Sequence, residues 1–235
     1  FGTDIRYEDV VKLELAGEVK RVHLEDEVLE ARTVIFSTGS AYRKLGLEEE
    51  DKYSGHGVSY CATCDGFFFR DQDIIVVGGG DSAMEEANFL TTFAKSVTVV
   101  HRRDELRASA AMAKRALENP KINFAWNSRV SALHGEGALE SVTLTDTVTG
   151  QTRELEATGL FVAIGSTPRS ELVRDQLELD AAGYVVVDHP STRTNVPGVF
   201  ACGDVADPTY RQAITAAASG TRAALDAQHY LAELN

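Results

Sequence analysis

Short apolar runs alternate with amphipathic segments through the middle of the chain. Ile74–Val77 is a run of four β-branched residues, and the pattern that follows predicts strand, helix, strand, helix and strand. This alternation is typical of right-handed βαβ units on a parallel sheet. The predicted strands are Ile74–Val77, Val97–His101 and Ile122–Trp126, and the predicted helices are Asp81–Phe93 and Asp104–Glu118.

The flanking segments carry shorter apolar runs separated by turn residues, which predicts further strands. A hairpin is expected around Thr149-Gly150, and an Ala-rich helix near the end of the chain. The predicted strands are Ile5–Leu15, Val19–Leu24, Ala31–Phe36, Leu139–Thr145, Thr152–Leu155, Gly159–Ala163, Tyr184–Val187 and Gly198–Ala201, and the helix runs from about Arg211 to Ala232.

A weak internal repeat indicates the domain organisation. Residues 31–40 align without gaps to residues 157–166, and both segments are apolar strands that leave through Gly-Ser. Two unrelated buried strands ending in turns would give the same short match. The segment between them has the length of one domain. We therefore expect an α/β protein in which a middle domain, residues 43–167, is inserted into a domain split between 1–42 and 168–235, with crossings near Tyr42 and Pro168.

Composition narrows the possible partners and compartments. The 235 residues include 36 acidic and 23 basic ones, and the net charge of −13 argues against nucleic acid or an anionic membrane as a partner. The apolar runs are too short to cross a bilayer, and no segment resembles a signal peptide. Three cysteines, two of them in Cys-x-x-Cys, suit a reducing cytosol, so we expect a cytoplasmic protein.

The Cys61-x-x-Cys64 pair is the first candidate for chemistry. Two thiols at this spacing can close a small disulfide ring. The alternative is half of a zinc site, but zinc needs four ligands, and Cys202 stands alone with no His-x-x-x-His spacing. We predict a redox pair and no metal. Asp65 follows directly and supplies an acid within proton-transfer reach, although an ordinary turn carboxylate would look the same.

The second candidate is the run Gly78–Ala83, which fits the fingerprint Gly-x-Gly-x-x-Ala. It follows a predicted strand and opens a predicted helix, which is the context that a dinucleotide pyrophosphate requires. Such glycines also occur in ordinary turns, and Gly79 is expected to add only flexibility. The expected binding residues are Gly78, Gly80, Asp81, Ser82 and Ala83.

The next strand indicates which dinucleotide is bound. An NAD site usually has an acid about 20 residues after the glycine turn. This chain has His101, Arg102 and Arg103 there, with Arg107 one predicted helical turn further. Guanidiniums grouped in an acidic chain match a ribose 2′-phosphate, which favours NADPH. The alternative is a solvated helix start, which the unfavourable position of arginine at a helix N-terminus argues against.

A third motif lies near the C-terminus. Val199–Ala201 predicts a strand that leads to Gly203 and Asp204, whose carboxylate suits ribityl or ribose hydroxyls. Arg211, Gln212 and Ala213 then open the last helix, whose amides would face an anion. Gly-Asp alone is common in loops. Cys202 is expected to pack as a small buried apolar residue.

Together these motifs resemble the bacterial low-molecular-weight thioredoxin reductase family. The matching runs are Cys-Ala-Thr-Cys-Asp-Gly, Gly-Gly-Gly-Asp-Ser-Ala-Met-Glu-Glu-Ala, His-Arg-Arg-Asp and Gly-Val-Phe-Ala-Cys-Gly-Asp-Val followed by Tyr-Arg-Gln-Ala, in the family's order over essentially the whole chain. The resemblance implies two Rossmann-like nucleotide-binding domains, an NADPH domain inserted into a split FAD domain. It also implies a cytoplasmic homodimer that reduces thioredoxin.

The resemblance assigns roles residue by residue. It implies that Cys61 and Cys64 are the redox pair, with Cys61 attacking the substrate disulfide and Cys64 nearer the flavin, and that Asp65 is the acid. For NADPH it implies Ser82, His101, Arg102, Arg103 and Arg107, with Ile164, Gly165 and Tyr184 nearby. For FAD it implies Gly203, Asp204, Arg211, Gln212 and Ala213, and the backbone at Val10, Thr38 and Gly39.

One departure from the family is large. The family begins with an FAD-binding βαβ unit that carries its own glycine fingerprint, and residues 1–36 contain none. We expect upstream sequence to be missing, and the 235 residues alone to be colourless, inactive in NADPH-to-disulfide turnover and still able to bind NADPH. Two rival interpretations are the flavoprotein of a peroxiredoxin-reducing system and a non-catalytic NADPH-binding module.

Overall fold

The computed structural model describes residues 2–234, which form two compact units. The end unit combines the chain up to Ala41 with the chain from Ser166, and the middle unit is Tyr42–Gly165. These bounds lie within two residues of the crossings expected at Tyr42 and Pro168.

The described part of the chain contains fifteen strands and four α-helices. The strands are β1 Lys12–Glu14, β2 Lys20–His23, β3 Val28–Ala31, β4 Val34–Phe36, β5 Ser40–Tyr42, β6 Val58–Ser59, β7 Asp73–Val77, β8 Ser96–Val100, β9 Ile122–Ala125, β10 Ser128–His134, β11 Ser141–Asp146, β12 Thr152–Glu156, β13 Gly159–Val162, β14 Ser166–Pro168 and β15 Val199–Ala201. The helices are α1 Ala62–Asp65, α2 Asp81–Leu90, α3 Ala110–Leu117 and α4 Ala213–Glu233.

A five-stranded parallel sheet organises the middle unit. Its order is β6-β13-β7-β8-β9. Strand β7 is buried on both faces because successive side chains point to opposite sides of a sheet. Ile74 and Val76 pack with α2 and α3, whereas Ile75 and Val77 pack with the antiparallel strands β10, β11 and β12. The α/β class expected from the sequence is confirmed.

The antiparallel sheet of the middle unit contains the predicted hairpin and one strand that the sequence analysis missed. Strands β11 and β12 pair as expected, but β10 lies on the other side of β11. Strand β10 alternates buried and exposed positions for only part of its length, because a register shift occurs between Val130 and Ala132. This irregularity obscures the period-2 pattern that would predict the strand.

The helix predicted over Asp104–Glu118 is wrong in its first turn and a half, because α3 begins at Ala110. The segment between β8 and α3 is a loop fastened to the glycine turn: the amides of Arg107 and Ala108 both donate to the carbonyl of Gly79, at 2.7 and 3.1 Å. Because each amide has one proton to donate, these two amides cannot also form the hydrogen bonds of an α-helix. Helix α2 also ends three residues earlier than predicted, at Leu90.

The end unit contains an antiparallel sheet and a parallel pair. Strands β1, β2 and β3 form the first, and β4 pairs with β15 in the second. The strand predicted over Ala31–Phe36 contains β4 and only the last residue of β3, and the one predicted over Ile5–Leu15 is only β1. The strand predicted over Tyr184–Val187 is wrong: the segment makes only an isolated bridge between Leu179 and Val185.

The repeated segments have matching conformations. Residues 34–36 form β4 and the aligned residues 160–162 lie in β13, and each strand belongs to a parallel ladder. The aligned glycines Gly39 and Gly165 both have left-handed backbones, with φ of +74° and +100°. Glycine adopts this conformation without steric penalty. Each is followed by one of the short strands β5 and β14, where the chain crosses between units, and these two strands pair.

Candidate functional site

Cys61 and Cys64 are joined by a disulfide at the start of α1, with their Cα atoms 5.3 Å apart. Cys61 caps this one-turn helix, and its sulfur accepts a hydrogen bond from the Cys64 amide at 3.2 Å. Cys64 is exposed and Cys61 is half-buried, so a thiol reagent can approach the pair. The two sulfurs that a zinc site would require are bonded to each other.

Cys202 plays no part in this pair. It is buried in the end unit against Phe200 and against Ala223 of α4, as expected for a small apolar side chain. Burial also raises the pKa of its thiol, which disfavours the reactive thiolate.

Asp65 is held beside the disulfide by a residue that the sequence analysis missed. The hydroxyl of Ser59, at the end of β6, donates to Asp65 Oδ2 at 2.7 Å and accepts from the Cys61 amide at 3.1 Å. Ser59 is 4% exposed. The signal for it in the sequence is faint, since a single serine two positions before a Cys-x-x-Cys is not a motif.

The glycine turn between β7 and α2 lines a cavity of about 770 Å³. Gly78 has φ +154°, and a Cβ atom there would lie 2.5 Å from the Ala163 carbonyl, so this position requires glycine. Around Gly80, which precedes α2, an added Cβ would meet nothing within 4 Å. Open space at this position is what the close approach of a pyrophosphate to the backbone requires.

Gly79 has a steric function, contrary to the expectation that it adds only flexibility. An added Cβ would lie 2.2 to 2.7 Å from three atoms of the His101 ring. The imidazole therefore packs directly on the glycine turn. His101 is 5% exposed, and its ring meets Trp126 edge-on at a centroid distance of 6.4 Å.

The electrostatic environment of His101 favours the neutral ring. Burial lowers its pKa, a hydrogen bond with the backbone of Glu105 opposes the shift, and the nearby charges of Arg107, Arg103 and Arg102 lower it further. The Nε2 atom is buried without a hydrogen-bond partner among the described residues. A buried polar atom at the wall of a cavity marks a position where a ligand can complete the hydrogen bonding.

The arginines that follow His101 lie in the loop before α3. The argument from an unfavourable helix N-terminus therefore does not apply to them, because no helix begins there. Their guanidiniums make no ion pair or hydrogen bond with other residues in the described range, although the chain is strongly acidic. Arg102 and Arg107 line the cavity, and Arg103 does not.

The cavity gathers residues that are far apart in the sequence. Ile164 and Gly165 line it together with all six positions of the glycine turn. Three basic residues not predicted from the sequence also line it, namely Arg43, Lys44 and Arg129. Arg129 is placed by backbone hydrogen bonds that join its neighbours Asn127 and Ser128 to the carbonyls of Arg103 and His101.

The residues expected at the flavin, and Tyr184, lie in the end unit. Arg211 donates to the Ser166 hydroxyl at 3.0 Å and to the Tyr184 hydroxyl at 3.4 Å, so Tyr184 is held within this unit. Thr38 and Gly39 are bonded to Arg169, and Val10 lies before β1. Gly203 has φ +72°, and Ala213 is the first residue of α4.

The side chains of Asp204 and Gln212 differ in their hydrogen bonding within the chain. No described residue donates a hydrogen bond to the half-buried Asp204 carboxylate; burial and nearby Asp207 raise its pKa, and Arg211 opposes the shift. Such a carboxylate suits ligand hydroxyls. Gln212 caps α4 and accepts from the Thr215 amide, so that amide already has a partner within the chain.

The sequence and structure match known proteins along nearly the whole chain. The family model described as pyridine nucleotide-disulphide oxidoreductase matches residues 2–220. A thioredoxin reductase from Streptomyces clavuligerus is 63% identical over 235 residues, which is 100% of this chain and 73% of that protein. A bifunctional thioredoxin reductase/thioredoxin from Mycobacterium leprae is 53% identical over 99% of this chain and 51% of its own length.

A solved structure agrees with these relatives. The crystal structure of thioredoxin reductase from Streptococcus pyogenes superposes with a TM-score of 0.91 at 45% identity, covering 96% of this chain and 74% of that one. No helix in the described part of the chain is long and apolar enough to cross a membrane. The fold, the Cys61–Cys64 disulfide and the matches over the whole chain lead to one conclusion: the chain belongs to the pyridine nucleotide-disulphide oxidoreductase family.

Proposed function

We propose that the full-length protein is an NADPH-dependent flavoprotein that reduces the disulfide of thioredoxin through Cys61 and Cys64. The observation that carries the proposal is the placement of this disulfide and Asp65 in the same compact unit as a basic cavity built on a glycine turn. The family and the names of the relatives support it. The M. leprae relative is named for thioredoxin as well as for its reductase, which favours thioredoxin as the substrate.

The cavity of the middle unit fits NADPH. Gly80 and the start of α2 offer backbone amides and open space to a pyrophosphate, whereas the Gly78 amide is bonded to the Val100 carbonyl and Gly78 only shapes the turn. Arg102 and Arg107 offer unpaired guanidiniums to the 2′-phosphate, and neutral His101 adds a free ring nitrogen. Arg103 is positioned to add long-range charge. Ser82, Asp81, Ala83, Ile164 and Gly165 complete the wall of the cavity.

The end unit supplies residues suited to FAD. The unbonded Asp204 carboxylate can accept hydrogen bonds from ribityl hydroxyls, and Gly203 gives the chain its left-handed turn there. Arg211 and Gln212 lead into α4, which begins at Ala213. The chemistry supplied by the bound nicotinamide and flavin is the delivery of two electrons to the Cys61–Cys64 disulfide.

The residues of this chain then carry out thiol–disulfide exchange. A cysteine thiolate attacks the disulfide of thioredoxin, the second cysteine resolves the mixed disulfide, and the Cys61–Cys64 disulfide reforms. Two electrons pass to thioredoxin, and two protons accompany them. We assign the holding and return of these protons to Asp65, which follows Cys64 directly and is hydrogen-bonded to Ser59.

Serine substitutions test the redox pair in the full-length protein. Cys61→Ser or Cys64→Ser should abolish thioredoxin reduction, because neither variant can reform the disulfide. Flavin reduction by NADPH, followed by absorbance in rapid mixing, should persist in both. Cys202→Ser is the matched control and should turn over normally, since Cys202 is buried in the end unit. Normal turnover by either variant of Cys61 or Cys64 would refute the assignment of these residues as the redox pair.

A second experiment tests the choice of dinucleotide. The double change Arg102→Ala, Arg107→Ala removes the two guanidiniums that line the cavity. A charge-assisted contact contributes roughly 1.5–3 kcal/mol, so the preference for NADPH over NADH should fall by at least about tenfold. The ratio of kcat/KM values for the two nucleotides measures it. Equal efficiency with NADH in the unsubstituted enzyme would refute the assignment.

The assembly and compartment form the last part of the proposal. We infer a homodimer in the cytoplasm, as the resemblance to the family implies. Sedimentation equilibrium of the full-length protein would give the mass of a dimer, and a concentration-independent monomer would contradict it. Cell fractionation tests the compartment.

A further inference from the structure

Ser59 makes three polar contacts around the redox pair. Its Oγ lies 2.7 Å from Asp65 Oδ2, 3.1 Å from the Cys61 amide nitrogen and 3.4 Å from the Cys61 carbonyl oxygen. A hydroxyl has one proton, and the shorter and charged acceptor takes it. Ser59 therefore donates to Asp65 and accepts from Cys61, and it links the carboxylate to the backbone of the redox pair.

Asp65 is attached to Cys61 at two points. Its amide donates to the Cys61 carbonyl at 3.1 Å, and its carboxylate reaches the Cys61 amide through the Ser59 hydroxyl. These contacts close a ring of hydrogen bonds that fixes the side chain's rotation. No described residue donates a hydrogen bond to the second oxygen, Oδ1. One carboxylate oxygen is thus anchored, and the other is available for proton transfer.

We propose that Ser59 is a positioning residue, which holds the Asp65 carboxylate so that Oδ1 exchanges protons with the Cys61–Cys64 dithiol. The proposal rests on the proposed function and adds a residue to it. Asp65 is only half-buried, so without Ser59 its carboxylate is free to rotate into solvent. Because Ser59 belongs to the parallel sheet and is 4% exposed, it provides a rigid anchor that Asp65 lacks on its one-turn helix.

This geometry matters for the proton transfers that accompany thiol–disulfide exchange. A cysteine thiol gives its proton to Asp65, and the thiolate attacks one sulfur of the target disulfide. The target S–S bond breaks, a mixed disulfide forms, and the departing sulfur takes the proton from Asp65. The second cysteine repeats the transfer and attacks the mixed disulfide. The target gains two electrons and two protons, and the Cys61–Cys64 disulfide reforms.

The test uses a reaction that requires neither flavin nor thioredoxin. The chain is reduced, freed of reductant, and mixed with glutathione disulfide, and the release of glutathione gives the exchange rate. General acid–base assistance contributes roughly 10²–10⁴-fold, and a misplaced acid loses part of it. Ser59→Ala should therefore slow exchange about tenfold. Ser141→Ala, at another buried serine of the middle unit, is the matched control and should change the rate less than about twofold.

A double-mutant comparison separates positioning from a structural role. If Ser59 acts through Asp65, then Ser59→Ala in an Asp65→Asn background should cause no further loss. A further tenfold loss in that background, or an unchanged rate in the single variant, would overturn the proposal. If Ser59→Ala does not fold, the isosteric pair Ser59→Thr and Ser59→Val replaces it. The threonine variant should keep the rate within about threefold, and the valine variant should lose about tenfold.

The result is distinguishable from failure of the proposed function. Suppose that the full-length enzyme does not reduce thioredoxin, but that the Ser59 variants still show the tenfold and non-additive loss with glutathione disulfide. Thioredoxin would then be wrong as the substrate, and the role of Ser59 would stand. In an active full-length enzyme, Ser59→Ala should slow thioredoxin reduction and leave flavin reduction by NADPH unchanged within about twofold. Equal slowing of both would show a general disruption instead.

Discussion

Alanine substitutions at the adjacent positions Gly79 and Gly80 should have different effects, the first on stability and the second on NADPH affinity. A Cβ at Gly79 lies as close as 2.2 Å to the His101 ring, and ordinary contact begins at 3.4 Å, so the ring has to retreat by about 1.2 Å. The ring cannot do so freely, because it is 5% exposed and packed against Trp126. Overpacking of this kind costs roughly 1–3 kcal/mol. We expect Gly79→Ala to lose about 2 kcal/mol of unfolding free energy.

Gly80→Ala should behave differently. Its backbone is extended, at φ −97° and ψ −177°, and nothing lies within 4 Å of an added Cβ. Alanine is a poorer N-cap than glycine by roughly 0.5–1 kcal/mol, and the lower entropy of alanine in the unfolded chain offsets about the same amount because this backbone suits it. The new methyl group, however, would occupy the open space where a pyrophosphate approaches the backbone. We expect unchanged stability and at least about a tenfold loss of NADPH affinity, which corresponds to about 1.4 kcal/mol.

Urea unfolding and calorimetric titration with NADPH measure the two effects on the same samples. With a denaturant slope of about 2 kcal/mol/M, the loss in Gly79→Ala lowers the urea midpoint by about 1 M. Gly79→Ala also displaces the loop of Arg107, whose amide is bonded to the Gly79 carbonyl, so its affinity falls as well. The reasoning is refuted if Gly79→Ala unfolds at the parent's midpoint, or if Gly80→Ala binds NADPH as tightly as the parent.

Two further predictions concern buried ionisable groups. Glu50 is 1% exposed and accepts hydrogen bonds from two backbone amides and from the hydroxyl of Tyr60. Glu50→Ala should therefore lower the unfolding free energy by at least about 2 kcal/mol. Glu48→Ala, at an exposed position, is the control and should leave it unchanged. Urea midpoints of the two variants provide the comparison. Burial lowers the pKa of His101 in the folded state, so below pH of about 6.5 the unfolded chain binds a proton that the folded chain does not. Stability should therefore decrease as the pH falls from about 6.5 towards the folded pKa, and His101→Gln should reduce this slope; an identical slope in both proteins would contradict the assignment.

Features encoded by neighbouring residues were predicted well from the sequence. The strand before the glycine turn, the helix after it and the Cys-x-x-Cys turn each depend on contacts within about ten residues, and all three are present in the structure. The internal repeat also held structural information, since Gly39 and Gly165 share a left-handed backbone at the two crossings. Local apolar runs and glycine positions are sufficient for such features because the restrictions on the backbone are themselves local.

Features created by distant contacts were predicted poorly or not at all. The loop that carries Arg102 and Arg107 has a helical pattern, but the Gly79 carbonyl takes the amides that a helix would need. Ser59 and Arg129 acquire their roles only when the sheet brings separate segments together.

The sequence by itself thus determined the α/β class, the Cys-x-x-Cys pair and the glycine turn between strand and helix. The tertiary structure alone decided which side chains surround them, because hydrogen bonds and steric exclusion between distant segments are set by packing and not by the order of residues along the chain.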